Sequence, residues 1–134
     1  MKQHRIAIVG SRQFQAMDLI HAFVATLPEG STIVSGGAPG VDSAAEQAAV
    51  TRGLKTLIFP ADWDGLGRKA GPIRNSQIVA HADRLVAFWD GDSHGTVNAV
   101  LQALARRLPV SVFGPDGRPV PIEQVIGAGR GRRA

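Results

Sequence analysis

The chain has 134 residues, 44% hydrophobic and 19% charged, with no cysteine and a net charge of +4. That length suits one domain with its own core, and that balance is globular rather than disordered. Disulfides and thiolate metal sites are excluded, and no apolar run approaches the roughly 20 residues of a membrane span.

The opening apolar run is too short for a signal peptide, so a cytoplasmic location is expected. Arg5 to Val9 is nearly continuously apolar, the pattern of a strand buried on both faces, and Gly10 ends it. Met17, Ile20, Val24 and Leu27 follow helical spacing until Pro28-Glu29-Gly30. Thr32 to Ser35 is a second strand. Val41, Ala44, Ala45, Ala48 and Ala49 form one apolar helical face, closed by Gly53. Leu54 to Phe59 is a third strand, and "ADWDGLGRKAG" after Pro60 reads as a polar loop. Pro72 suits a first helical turn, continued by Ile73 to Ala82. Arg84 to Trp89 is a fourth strand and "DGDSHG" a turn. Val97, Val100, Leu101, Leu104 and Leu108 mark an amphipathic helix, and Pro109 to Phe113 a fifth strand. "PDGRPVPIEQVIG" adds a short hairpin or edge segment.

This alternation predicts an α/β protein: a three-layer Rossmann-like domain, a five-stranded parallel sheet with helices on both faces, spanning residues 1–126. The last eight residues, "GAGRGRRA", predict a disordered basic tail over 127–134. Without Arg130, Arg132 and Arg133 the net charge falls to +1, so the tail is either simply solvated or a weak contact for nucleic acid.

Ligands in such a fold bind beyond the carboxyl ends of the strands. Those ends are Gly10-Ser11-Arg12, Ser35 to Asp42, Pro60 to Gly71 and Asp90 to Thr96. Each carries glycine and polar residues, whereas "PEGS", "RGLK", "HADR" and "RRLP" at the opposite ends read as plain connections. "SGGAPGVD" joins a strand to a helix. Backbone N–H groups at Gly36, Gly37, Ala38, Gly40 and Val41 could approach an anion there, helped by the helix dipole; the alternative is a tight packing turn. It matches neither G-x-G-x-x-G nor the Walker loop. Gly95-Thr96, with Ser93 or Asp92 as cap, repeats the device.

Arg12 and Arg74 offer fork-shaped donors to phosphate. Arg74, read as lying in a first helical turn, opposes the dipole and should have a partner, Asp42 or a bound anion. Asp42 itself is a dipole-favoured cap, a sugar contact or an orienter of Arg74. Trp63, between two aspartates, is a base-stacking candidate or a lid over the core edge. Asp90 and Asp92 form a solvated acidic turn or a magnesium pair. His94 has no second histidine at ligand spacing, so no metal site is assigned. No resident cofactor is indicated, and magnesium would enter only with the ligand.

Four stretches, "GSRQF", "SGGAPGVDSAAEQAA", "ADWDGLGRKAGPIRNSQIV" and "ADRLVAFWDGDSHGT", resemble the SLOG superfamily. That Rossmann-like group includes DNA-processing protein A and the Lonely Guy, or lysine decarboxylase-like, proteins; the match is nearest its YspA-like branch. The resemblance implies a nucleotide pocket formed by Gly10, Ser11 and Arg12, the loop from Gly36 to Asp42, Arg74-Asn75, and Ser93 to Thr96. It also implies a homodimer or larger homo-oligomer, with exposed Leu or Val on the 97–108 helix as the interface. Lonely Guy enzymes carry a glutamate shortly after the last Gly-Thr; here Val97-Asn98-Ala99 has no carboxylate, leaving Arg74, Asp42 and Asp90 as catalytic candidates.

Three functions follow in order. The first is binding, or sensing, of a nucleotide or nucleotide-derived phosphorylated small molecule. The second is hydrolysis of such a ligand at its N-glycosidic bond. The third is single-strand nucleic-acid binding, which the body charge of +1 and 5% aromatic content place last. No membrane partner is expected.

Overall fold

A computed structural model of the chain describes residues 4–131. Its strands are β1 (Arg5–Gly10), β2 (Thr32–Ser35), β3 (Lys55–Ile58), β4 (Arg84–Phe88) and β5 (Val110–Phe113). Interleaved with them are α1 (Met17–Ala25), α2 (Val41–Arg52), α3 (Trp63–Leu66), α4 (Ala70–Ala80), α5 (His94–Ala105) and α6 (Ile122–Gly131). The strands make one parallel sheet in the order β3-β2-β1-β4-β5. This is the α/β Rossmann-like architecture that the alternation predicts.

Alternation along β1 splits the core in two. Ile6 and Ile8 join Ile20 and Val24 of α1 and the alanine face of α2. Ala7 and Val9 point the other way, toward Ile78 of α4, Val100 of α5 and Val125 of α6. The chain runs outward from β1 through β2 to β3, then returns to β4 on the other side of β1. Connections from β1 and β4 therefore leave in opposite directions, and a crevice opens between their carboxyl ends.

The structure departs from expectation in several places. The stretch 60–71 is not a loop throughout. Asp62 Oδ1 accepts the Gly65 N–H at 3.0 Å and caps α3, a 3-10 turn covers Gly67–Lys69, and α4 begins at Ala70, two residues before Pro72. Its glycines conceal this short helical turn from periodicity. Strand β3 is an edge with exposed Lys55, Thr56 and Ile58, so it is not buried on both faces. The hairpin after β5 is one antiparallel bridge, Phe113 to Pro119.

The expected disordered tail is corrected over residues 127–131, which complete α6; Arg132 and Arg133 lie outside the described residues. Val125 is fully buried, and Ile122 and Ala128 pack on the second core. Gly129 has no Cβ to meet Leu101 and Val97, 3.2 Å from where one would stand, so α6 lies close on α5. That contact also corrects the assembly surface expected on α5. Val97 and Val100 are buried, Leu101, Leu104 and Leu108 are partly buried in the second core, and the exposed large apolar residues lie elsewhere.

Two helices end alike with different residues. Gly53 (φ 69°) and Arg107 (φ 62°) both stand in the left-handed region. The Leu54 N–H reaches the Ala49 carbonyl at 2.9 Å, and the Leu108 N–H reaches the Ala103 carbonyl at 3.0 Å. Glycine takes this conformation freely, whereas a side chain there costs about 1–2 kcal/mol. Among the described residues, no helix is long and apolar enough to cross a membrane.

Candidate functional site

The crevice at the carboxyl edge is an open cleft of about 1080 Å³. Four loops meet there, from β1, β2, β3 and β4, and close packing sets their positions. A Cβ on Gly10 would stand 2.5 Å from Val41 Cγ2 and 2.7 Å from the Phe88 carbonyl oxygen. Gly10 thus lets β1 end against both α2 and β4. We expect Gly10→Ala to destabilise the fold by about 3 kcal/mol through overpacking against backbone. A denaturant midpoint unchanged from the parent chain would contradict this packing.

The β1 and β4 loops are stitched together. The Ser11 N–H donates to the Phe88 carbonyl (3.1 Å), and Ser11 Oγ accepts the Asp90 N–H (3.1 Å). Asp90 Oδ1 accepts the N–H groups of Asp92 and Ser93, both at 2.9 Å. Burial opposes the Asp90 charge, but these N–H donors and the Ser11 hydroxyl outweigh it and hold the carboxyl below its ordinary range. Asp90 therefore anchors the turn ahead of α5, which makes it a poor proton carrier. Ser93 caps α5, its Oγ accepting from Thr96 Oγ1 at 3.1 Å and from the Thr96 N–H at 3.4 Å.

The β2 loop and α4 hold the charged centre. Arg74 Nη1 donates to the Gly36 carbonyl at 2.8 Å, and Arg74 Nε donates to Asn75 Oδ1 at 3.0 Å. A Cβ at Gly36 would collide with that guanidinium and lie 2.9 Å from Asp42 Oδ2. Asp42 Oδ2 accepts the Ala38 N–H at 3.1 Å. Burial pushes the Asp42 carboxyl up to about 6, against the pull of Ala38 and the Arg74 charge. Burial also lowers the Arg74 pKa, which Asp42 counters. Arg74 is in the second turn of α4, because that helix starts early. The expected opposition to the helix dipole is therefore weak, and its partners are Gly36, Asn75 and the Asp42 field.

Asn75 is buried. Its Nδ2 donates to the Gly95 carbonyl (3.2 Å) and to Asn98 Oδ1 (3.1 Å). Gln102 Nε2 completes the network by donating to Asn98 Oδ1 (2.9 Å) and the Pro72 carbonyl (3.0 Å). This amide chain locks α4 to α5. Asn98 and Gln102 carried no sequence signal, because a lone amide on a helix reads as solvent-facing.

The mouth of the cleft is formed by Arg12 and Trp63. The Arg12 guanidinium lies 5.9 Å from the Trp63 ring centroid. Trp63 is 46% exposed, and its ring edge rests over Gly71, where a Cβ would stand 3.1 Å from Cη2.

The cleft thus gathers Gly10, Arg12, Ala38, Asp42, Trp63, Arg74, Asn75, Asp90, Ser93, Gly95 and Thr96. Ser11, Gly36, Gly37, Gly40 and Val41 do not line it. Ser11, Gly36 and Val41 are buried supports, and Gly37 is exposed at φ 69°, 3.1 Å from Ile58 by its virtual Cβ. A Cβ on Gly40 (φ 86°) would stand 3.0 Å from the Arg12 carbonyl oxygen. At Gly10, Gly36 and Gly40 the missing side chain serves loop packing. Asp92, His94, Gln13 and Pro39 complete the rim, and Ala99 stands where a Lonely Guy-type glutamate would be sought.

Comparison with known proteins adds three findings. The DNA recombination-mediator protein A family matches residues 1–65. The gene 61 protein of Mycobacterium phage D29 is 34% identical over 120 residues, covering 82% of this chain and 96% of that protein. The fold is similar to DNA processing protein A from Streptococcus pneumoniae (TM-score 0.69, 21% identity, 98% of this chain) and from Helicobacter pylori (TM-score 0.64, 21% identity, 84% of this chain). The chain spans 56% and 66% of those two structures. These likenesses agree with the Rossmann-like SLOG superfamily as a whole and do not single out its YspA-like branch.

Proposed function

We propose that this chain, which belongs to the same family as the gene 61 protein of Mycobacterium phage D29, binds single-stranded nucleic acid at the carboxyl edge of its sheet. The observation that carries the reading is the exposed Trp63 facing Arg12 across the cleft mouth. An aromatic platform beside a cation accepts any base, and each stacked base contributes about 1–3 kcal/mol. Arg74 and the first turn of α5, at Gly95, supply positive potential for a phosphate deeper in the cleft. At about 1080 Å³ the cleft lies at the upper end of the small-molecule range, and its open side leaves room for a strand. The Helicobacter pylori relative is described by its single-stranded DNA binding mode, which supports the same reading.

A second reading is a free nucleotide or nucleotide-derived phosphorylated ligand, as the YspA-like resemblance implies. It is favoured by the three carboxylates on the lining, Asp42, Asp90 and Asp92, which oppose a long polyanion.

Tryptophan emission tests both. Trp89 is buried but bonded to the Ser93 carbonyl in the cleft wall, so quenching is assigned to Trp63 by its loss in Trp63→Leu. Titration with an oligothymidylate should quench emission with an affinity that falls steeply with salt. By anisotropy of a labelled oligothymidylate, Trp63→Leu should bind roughly 5- to 150-fold more weakly. Nucleoside monophosphates or ADP-ribose binding as tightly as the oligonucleotide would favour the second reading. Release of a free base from them would favour hydrolysis. No response to any of these probes would end the proposal.

A further inference from the structure

The opposite edge of the sheet gathers arginines that are far apart in the chain. Arg5 begins β1, Arg84 begins β4, and Arg107 closes α5 just before β5. They line a groove of about 600 Å³ together with apolar residues that include Leu27 and Leu108. The strands between the two edges are five or six residues long, so this groove lies about 17–20 Å from the cleft.

Four features set the groove apart from a solvated basic surface. Among the described residues, no carboxylate lies within ion-pair distance of Arg5, Arg84 or Arg107. The one acid on its lining, Asp83, gives one oxygen to the Arg5 N–H at 3.0 Å, so three guanidiniums face a single carboxylate and the groove keeps a net positive charge. The Arg84 guanidinium is held 5.6 Å over the Phe23 ring, which limits its freedom before any ligand arrives. Arg107, moreover, occupies a left-handed position where α2 uses glycine. A side chain kept in an unfavourable conformation is a sign that the side chain itself is used. The helix C-termini at this edge draw some positive charge, but they do not require three unpaired guanidiniums in one groove.

We propose that this groove is a second anion site and takes phosphate groups. The source is either the backbone of a bound strand or a free phosphorylated molecule, and both present the oxygens that guanidinium forks recognise. The inference stands apart from the reading of the cleft, because Trp63 emission reports on the cleft alone.

The test uses the full chain, Arg107→Gly and Arg84→Gln. Each is titrated with a labelled oligothymidylate by anisotropy and with inorganic pyrophosphate by calorimetry, and each is melted. Each variant should weaken binding of at least one probe roughly 3- to 10-fold, and a loss on the oligonucleotide should lower its salt slope by about one. Arg107→Gly should meanwhile melt at the same or a higher temperature, since glycine relieves the left-handed conformation. Loss on the oligonucleotide alone assigns the groove to a strand backbone; loss on pyrophosphate assigns it to phosphate from either source. Unchanged affinity of both variants for both probes, or no binding of either probe to the parent chain, would overturn the proposal.

Discussion

The Arg74→Ala variant is expected to bind the oligothymidylate roughly 10- to 150-fold more weakly than the parent chain, since a charge-assisted contact in a partly desolvated cleft contributes about 1.5–3 kcal/mol. Two of the guanidinium's N–H groups are already committed, one to the Gly36 carbonyl and one to Asn75 Oδ1. That commitment orients the rest of the fork toward the cleft without a further ordering cost on binding. Arg74→Lys should recover only part of the loss, because an ammonium keeps the charge beside Asp42 but cannot hold both acceptors. Alanine should also lower the melting temperature, leaving the Gly36 carbonyl without its donor and Asp42 without its cation. The measurement is anisotropy beside thermal melting for both variants. Parent-like affinity in Arg74→Ala would make Arg74 a purely structural brace and move the phosphate contact to Arg12.

Asp42→Asn is expected to stabilise the fold at neutral pH. The Asp42 carboxyl has a folded-state pKa of about 6 against 3.8 in the free side chain. The folded chain therefore binds this proton more tightly than the unfolded chain does. The stabilising contribution of that proton is complete below about pH 4 and is lost as pH rises toward and through 6. At pH 7 the charged carboxylate leaves the fold up to about 3 kcal/mol less stable than a neutral isostere would. Asparagine keeps an oxygen for the Ala38 N–H and should remove most of that difference. The melting temperature at pH 7 should rise by roughly 5–10 °C, with little change at pH 4. Urea midpoints across pH 4–7 check this: the parent chain should lose stability over the window and the variant should not. Parallel curves would mean that Asp42 ionises as an exposed carboxylate does. A destabilising carboxylate beside Arg74 is the kind of cost that binding sites carry.

The alternating strands and helices were legible from residue order alone, because each element shows its own period and its own stop. Apolar runs such as Ile6 to Val9 can only be buried on both faces, and Pro28, Gly53 and Pro60 interrupt what precedes them. That alternation leads to a parallel sheet, and a parallel sheet to a carboxyl edge where the loops carry function. Residue order alone puts Arg12, Asp42, Trp63, Arg74 and Gly95 at that edge, and they line one cleft.

Tertiary structure decided the rest, because it depends on which residues meet across the chain. The glycine loop read either as phosphate access or as a tight packing turn, and Gly36 is held to glycine because Arg74 occupies the space a Cβ would need, as Val41 does at Gly10. Asn98 and Gln102 are unremarkable one by one and become a lock with Asn75 only when α4 lies beside α5. Residues 127–131 look like a solvated tail until Val125 finds the second core and carries the helix with it. Arg84 and Arg107 sit in stretches that read as plain connections, and Arg5 opens a run that reads as a buried strand. Periodicity and local spacing report only on neighbours within a few turns, whereas these contacts join residues dozens of positions apart and exist only once the sheet has ordered its strands.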